Sequence, residues 1–201
     1  MKLKISEMNA LKKELVKIIK PKLKPMNMKM REGVVYFQRG DKFFSCMFFV
    51  TITRTLEYRI AVKGNDYDHM FWDIIGMSEN KNEPDSLRAV GAFAVPIMNL
   101  ECREVNLSEN LEVDAENLLN HIANFTDSFS KENENIDDFI ISSNPDNPDM
   151  RFSKSLKCLA YLHKGQIEEA KNFVAECMKE DDFGSKYNGG KWFFEWVLEK
   201  Y

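Results

Sequence analysis

Met8, Leu11, Leu15, Ile18 and Ile19 recur at steps of three and four, which lays one apolar stripe along a helix from Ser6 to about Lys20. The Ser6 hydroxyl can cap its first turn, and Pro21 and Pro25 bring it to a kink or an end. From Val34 to Lys63 the period shortens. VVYFQR, FFSCMFFVTITR and LEYRIAVK are rich in Val, Ile, Thr, Phe and Tyr and are separated at Arg39-Gly40-Asp41-Lys42 and near Arg54-Thr55. This pattern predicts an antiparallel meander. The middle run is apolar on both faces, so it belongs at the sheet centre, whereas Leu56, Tyr58, Ile60 and Val62 alternate with polar residues and predict one wet face. DYDHMFWDIIGM predicts a short helix capped by Asp66 or Asp68 and stopped at Gly76. SENKNEPDS reads as a polar loop. LRAVGAFAVPIMNLECREVNL returns to strand-like composition and predicts one or two further strands, with Pro96 at an edge or bend.

After Asn106 the pattern predicts no strand. Leu111, Ala115, Leu118, Ile122, Phe125 and Phe129 form a helical stripe. Phe139–Ile141 close a shorter segment, and SSNPDNPDM is a turn-rich break. Helices follow at Leu156–Leu162, Ile167–Cys177 and Trp192–Val197. Strands first and helices afterwards predict an α+β fold: an antiparallel sheet with an N-terminal helix over residues 1–106, then a helical C-terminal half over 107–201, packed on the sheet or appended to it.

The 201 residues suffice for a substantial core, and a hydrophobic fraction of 44% excludes a disordered chain. The most apolar stretch, Phe43–Thr53, is too short to cross a bilayer as a helix, so no membrane association is expected. The charges within residues 1–20 interrupt any secretory h-region. Cys46, Cys102, Cys158 and Cys177 show no CxxC spacing and sit among core-like neighbours. These features together predict a reduced, cytoplasmic protein.

Motifs that carry chemistry are sparse. His69, His121 and His163 have no histidine at i+3 or i+4 and no zinc-type spacing to cysteine, so neither a metal site nor a cofactor is expected. GSKYNGGK has the Gly184 to Gly189 spacing of a phosphate loop, but Gly190 stands where the lysine belongs, and the segment reads as a helix cap and linker. Acids Asp66, Asp68 and Asp73 surround His69, an arrangement that suits either acid–base work or helix capping. An enzyme or small-ligand binder would therefore place its pocket between sheet and helices around Tyr36, Tyr58, His69, Trp72 and Asp73.

Two stretches carry resemblances. IIKPKLKPMNMKM followed by VVYFQRGDKFFSCMFF resembles a bacterial family known only as a domain of unknown function, in which a helix ending in IIKPxLKxxGF precedes a strand, a Gly-Asp turn and an aromatic-rich strand. Ile18, Ile19, Lys20, Pro21, Leu23, Gly40, Asp41 and Phe44 match, while Met26-Asn27-Met28 replaces the Gly-Phe. The resemblance implies the same helix-and-meander fold and brings no activity with it. LAYLHKGQIEEAKNFVAECM resembles half of a tetratricopeptide-type unit, with Gly165, Ile167, Ala170, Val174 and Cys177 at the pattern positions. One unit cannot build a solenoid, so it implies a lone helical hairpin.

Charge separates along the chain. Residues 1–31 hold ten Lys/Arg and two Asp/Glu, whereas residues 107–150 hold eleven Asp/Glu and only Lys131. Two outcomes are open: the segments attract each other, or one is a docking surface. The expected function is a non-enzymatic, immunity- or adaptor-like protein-binding domain. Its contact surface would be the acidic residues Glu109, Glu112, Asp114, Glu116, Asp127, Glu132, Glu134, Asp137 and Asp138, and its partner a basic protein. Nucleic acid is disfavoured, because the net charge is -4 and the N-terminal lysines are not interleaved with aromatics.

Overall fold

The computed structural model describes residues 2–148, 150 and 152–201. Helix α1 (Ile5–Lys22) buries Leu15 and Ile19. Ser6 lies inside its first turn; the Glu7 carboxylate accepts the Lys4 N–H at 2.6 Å instead and takes over the capping. Pro21 occupies the last turn, and the chain leaves through a 3-10 turn that ends with Asn27 at φ 54°.

Five strands follow: β1 (Lys29–Arg31), β2 (Val34–Arg39), β3 (Lys42–Val50), β4 (Thr55–Gly64) and β5 (Met98–Asn106). They form one antiparallel sheet in the order β1-β2-β3-β4-β5, with β3 at its centre as its two-sided apolar pattern requires. β1 is absent from the sequence reading, because three residues, KMR, carry no alternation. It is set by the Glu32-Gly33 turn, in which both residues have positive φ (53° and 80°), the hairpin geometry that suits strand twist.

One sheet face carries Val35, Phe37, Phe44, Cys46, Phe48, Leu56, Tyr58, Ile60 and Val62. It joins α1 and the C-terminal helices in a single apolar cluster that reaches Val197. The other face carries Val34, Tyr36 and Phe43 and is partly roofed by Ala89. That roof is α3 (Asp85–Ala89), part of a segment the sequence reads as loop and strand. Between α2 (Tyr67–Ile74) and β5 the chain forms a 3-10 turn (Ser78–Asn82), α3 and further turns, so only one strand of this sheet follows β4 among the described residues. The reason is where its backbone groups go: the Phe93 carbonyl accepts the Trp72 indole N–H at 3.1 Å, and the Val95 N–H donates to the Asp68 carboxylate at 2.7 Å. Side chains take the hydrogen bonds that a ladder would have used.

The helical half contains α4 (Leu111–Glu132), α5 (Ile136–Ser142), α6 (Lys154–His163), α7 (Ile167–Lys179) and α8 (Phe193–Lys200). Asn110, Asn135 and Ser153 cap α4, α5 and α6 through their side chains. α6 and α7 form a helical hairpin that turns at Gly165 (φ 77°). A further correction lies at Tyr187–Trp192: β6 (Tyr187–Asn188) and β7 (Lys191–Trp192) make a small hairpin around Gly189-Gly190, where the sequence predicts a linker. Two-residue arms leave no periodic trace. No helix is long and apolar enough to cross a membrane among the described residues.

Candidate functional site

The acidic segment lies on α4, α5 and the residues that flank them, and is largely matched from within. Lys22 of α1 reaches Glu116 at 2.7 Å and Glu112 at 3.2 Å. Arg54 pairs with Glu109 at 2.7 Å, Arg39 and Lys131 both reach Asp127, and Lys164 holds Asp138. Asp114 accepts the Ser108 N–H at 2.9 Å. Asp137 is not a surface residue: it is 4% exposed, accepts the Tyr67 hydroxyl at 2.6 Å and binds His163 Nδ1 at 2.7 Å. Of the nine acidic candidates, only the Glu132 and Glu134 side chains engage no partner among the described residues. The first of the two charge outcomes, attraction between segments, is therefore realised through Lys22.

These pairs set a pH dependence. Lys131 holds the Asp127 carboxyl below its ordinary value, Lys81 does so for Asp73, and Lys154 for Glu180. A carboxyl whose folded pKa is depressed binds fewer protons folded than unfolded, so its contribution is complete above the ordinary carboxylate range and disappears as pH falls through the folded value. The midpoint of thermal unfolding is expected to hold level near pH 6 and to fall below about pH 4. Because the groups are exposed, the fall should shrink in about 1 M salt. Melts at the two salt concentrations check this, and a midpoint rising on acidification would contradict it.

The alternative pocket residues do not converge. Tyr36 lies on the α3 side of the sheet beside Ser86 and Asp85, and Tyr58 lies on the opposite face against the His121 ring. Trp72 is engaged with Phe93, and Asp73 with Lys81 and Ser78. His69 does line a concavity, a polar one of about 470 Å³ with Gln38, Asn65, Asp66, Asp85 and Arg88, but the other four candidates are not in it.

Three polar clusters escape sequence reasoning, because their members meet only in the fold. Glu101 binds His121 Nε2 at 2.5 Å, with Arg103 at 3.3 Å from Nδ1, beside a cavity of about 290 Å³. Asp137 joins Tyr67 and His163. Lys63 and Asp68, both buried, pair at 2.5 Å, so Asp68 anchors a lysine instead of capping α2. In each cluster the polar groups are bonded to one another. Burial pushes the Cys46 and Cys158 thiols up, and Cys177 up to about 11, away from thiolate reactivity. Among the described residues no group of three His, Cys, Asp or Glu has metal-binding geometry.

The unpaired charge that gathers along one groove is basic. Lys12, Lys13, Lys17 and Lys20 line one flank of α1, and none of them makes an ion pair among the described residues. They border a groove of about 490 Å³ between α1 and the β1–β2 turn, completed by Asn9, Val16, Met30, Glu32 and Gly33. Helical spacing places these lysines on one flank, while Leu15 and Ile19 point into the core. The groove's single carboxylate, Glu32, is engaged by Arg31 at 3.3 Å. No protein family, curated protein or solved structure matches this chain.

Proposed function

We propose that this protein is a non-catalytic docking module of adaptor or immunity type, and that its α1 flank receives an acidic partner protein. One observation carries the reading: the carboxylates of α4 and α5 are mostly neutralised within the fold, whereas four lysines along one groove are not. An acidic partner gains Coulomb attraction there without first breaking an internal ion pair, and a basic partner at α4 would have to displace Lys22, Arg39 or Arg54. This reverses the partner charge expected from the sequence and keeps the function class.

The test is fluorescence anisotropy with a labelled oligoglutamate peptide, an oligolysine peptide and a single-stranded oligonucleotide. Oligoglutamate should bind, and its affinity should fall steeply between about 50 and 300 mM salt. Lys12→Glu with Lys17→Glu should weaken it on the order of tenfold. Preferential oligolysine binding, an unaffected double variant, or tighter binding of the oligonucleotide would each overturn the reading.

A further inference from the structure

We infer that the α1 groove selects acidic protein segments that carry bulky apolar side chains, rather than polyanions in general. This rests on the docking reading above and adds to it a second observation, the groove's floor. Val16 and Met30 are half-buried and pack against the core from its edge. Met30 pairs in register with Val35, whose side chain is fully buried on the helix-covered face, so Met30 lies on the α1 side of the sheet. Methionine is unbranched and flexible, suited to moulding around an incoming side chain.

The walls are apolar as well. A Cβ built on Gly33 would stand 3.1 Å from Lys12 Cε and 3.9 Å from Val16 Cγ2. The end of the Lys12 side chain therefore lies over the glycine backbone, with its Nζ 3.5 Å from the same point, and Gly33 leaves the room for it. Lysine stems can cover apolar surface with their methylenes while their ammonium groups keep to water. The result is an oily trough with a cationic border. A carboxylate chain without apolar side chains would meet the rim and leave the floor wet. Phosphate chains would meet lysines only, since the lining holds no arginine and no aromatic ring on which a base could stack. From Asn9 to Lys20 the helix runs about 16 Å, enough for three turns of a bound helix or about five residues of an extended segment. β1 is one edge strand of the sheet and forms the opposite bank through Met30.

Three labelled probes decide the matter: an acidic peptide with spaced leucines, the same peptide with serine at each leucine, and vesicles of anionic phospholipid. The leucine peptide should bind on the order of tenfold tighter than its serine counterpart. Val16→Ser with Met30→Ser should abolish that ratio and leave the serine peptide's affinity unchanged. Met30→Gln alone should reduce the ratio, which provides a milder variant should the pair melt early. Equal affinities for the two peptides would overturn the selection for apolar side chains while leaving the charge reading intact. Absence of binding by either peptide would instead remove the docking reading itself. Vesicle binding stronger than peptide binding would replace the protein segment by a lipid surface and overturn the inference.

Discussion

Replacing Asp68 by alanine is expected to destabilise the protein by about 3–5 kcal/mol, the loss typical when a buried ion pair is broken from one side. Lys63 on β4 is fully buried, its ammonium 2.5 Å from Asp68 and 5.2 Å from the centre of the Phe43 ring. Burial lowers its pKa, and Asp68 opposes that shift. Without Asp68 the buried ammonium loses its hydrogen-bonded counter-charge and keeps only Asp85, set against the adverse charge of Arg88, and the Val95 N–H loses its acceptor. For a chain of this length the loss corresponds to a fall of roughly 6–20 °C in melting temperature. The variant should recover part of it as pH rises toward about 10, because a lysine with depressed folded pKa favours the folded state only once it has shed its proton. Lys63→Met combined with Asp68→Asn should lie nearer the wild type than Asp68→Ala, since no charge remains and the amide oxygen can still accept from Val95. Denaturant melts across pH check both statements. A loss below about 1 kcal/mol for Asp68→Ala would show that the pair is not a structural anchor.

Asp137→Ala is expected to cost about 2–4 kcal/mol, chiefly by stranding the Tyr67 hydroxyl. Tyr67 has no exposed surface, and its ring rests on Gly64, where a Cβ would approach within 2.4 Å. The phenol therefore cannot swing out to water. Burial and Asp137 together push its pKa upward, so it remains a donor at all ordinary pH. His163 is partly exposed and can rehydrate, so it should account for less of the loss. Adding Tyr67→Phe to Asp137→Ala should return part of the stability, because the orphaned hydroxyl disappears. Hydrogen exchange should accelerate first in α5 and α6, the helices that this carboxylate ties to α2. A double variant less stable than Asp137→Ala alone would sink the account.

The two anchors show where local sequence pattern and fold diverge. Asp68 and Asp137 each satisfy a simple local expectation, a helix cap and a solvated acidic face, and both are diverted by a partner contributed by another element. Asp68 draws the Val95 backbone away from strand pairing, which is why a segment of strand-like composition becomes turns. The same holds at the candidate site. The lysine flank of α1 was visible as a run of charge, and so was the acidity of α4. Their unequal fates are not visible there, because Lys22, Arg39 and Arg54 reach the acids only after α1 and the ends of the inner strands are in place.

Periodicity and turn chemistry in the amino-acid order already determined the α+β class, the N-terminal helix, the three long strands with β3 between its neighbours and the helical half. Apolar spacing selects helix or strand residue by residue, and short turns leave sequential strands no other neighbour to pair with. Tertiary structure alone decided which charges are consumed and which stay free, where His121 and His163 find their carboxylates, and that β1 and the β6–β7 hairpin exist at all. Ion pairs and two- or three-residue strands depend on approach in space between residues far apart in the chain, and no period in a linear sequence records that distance.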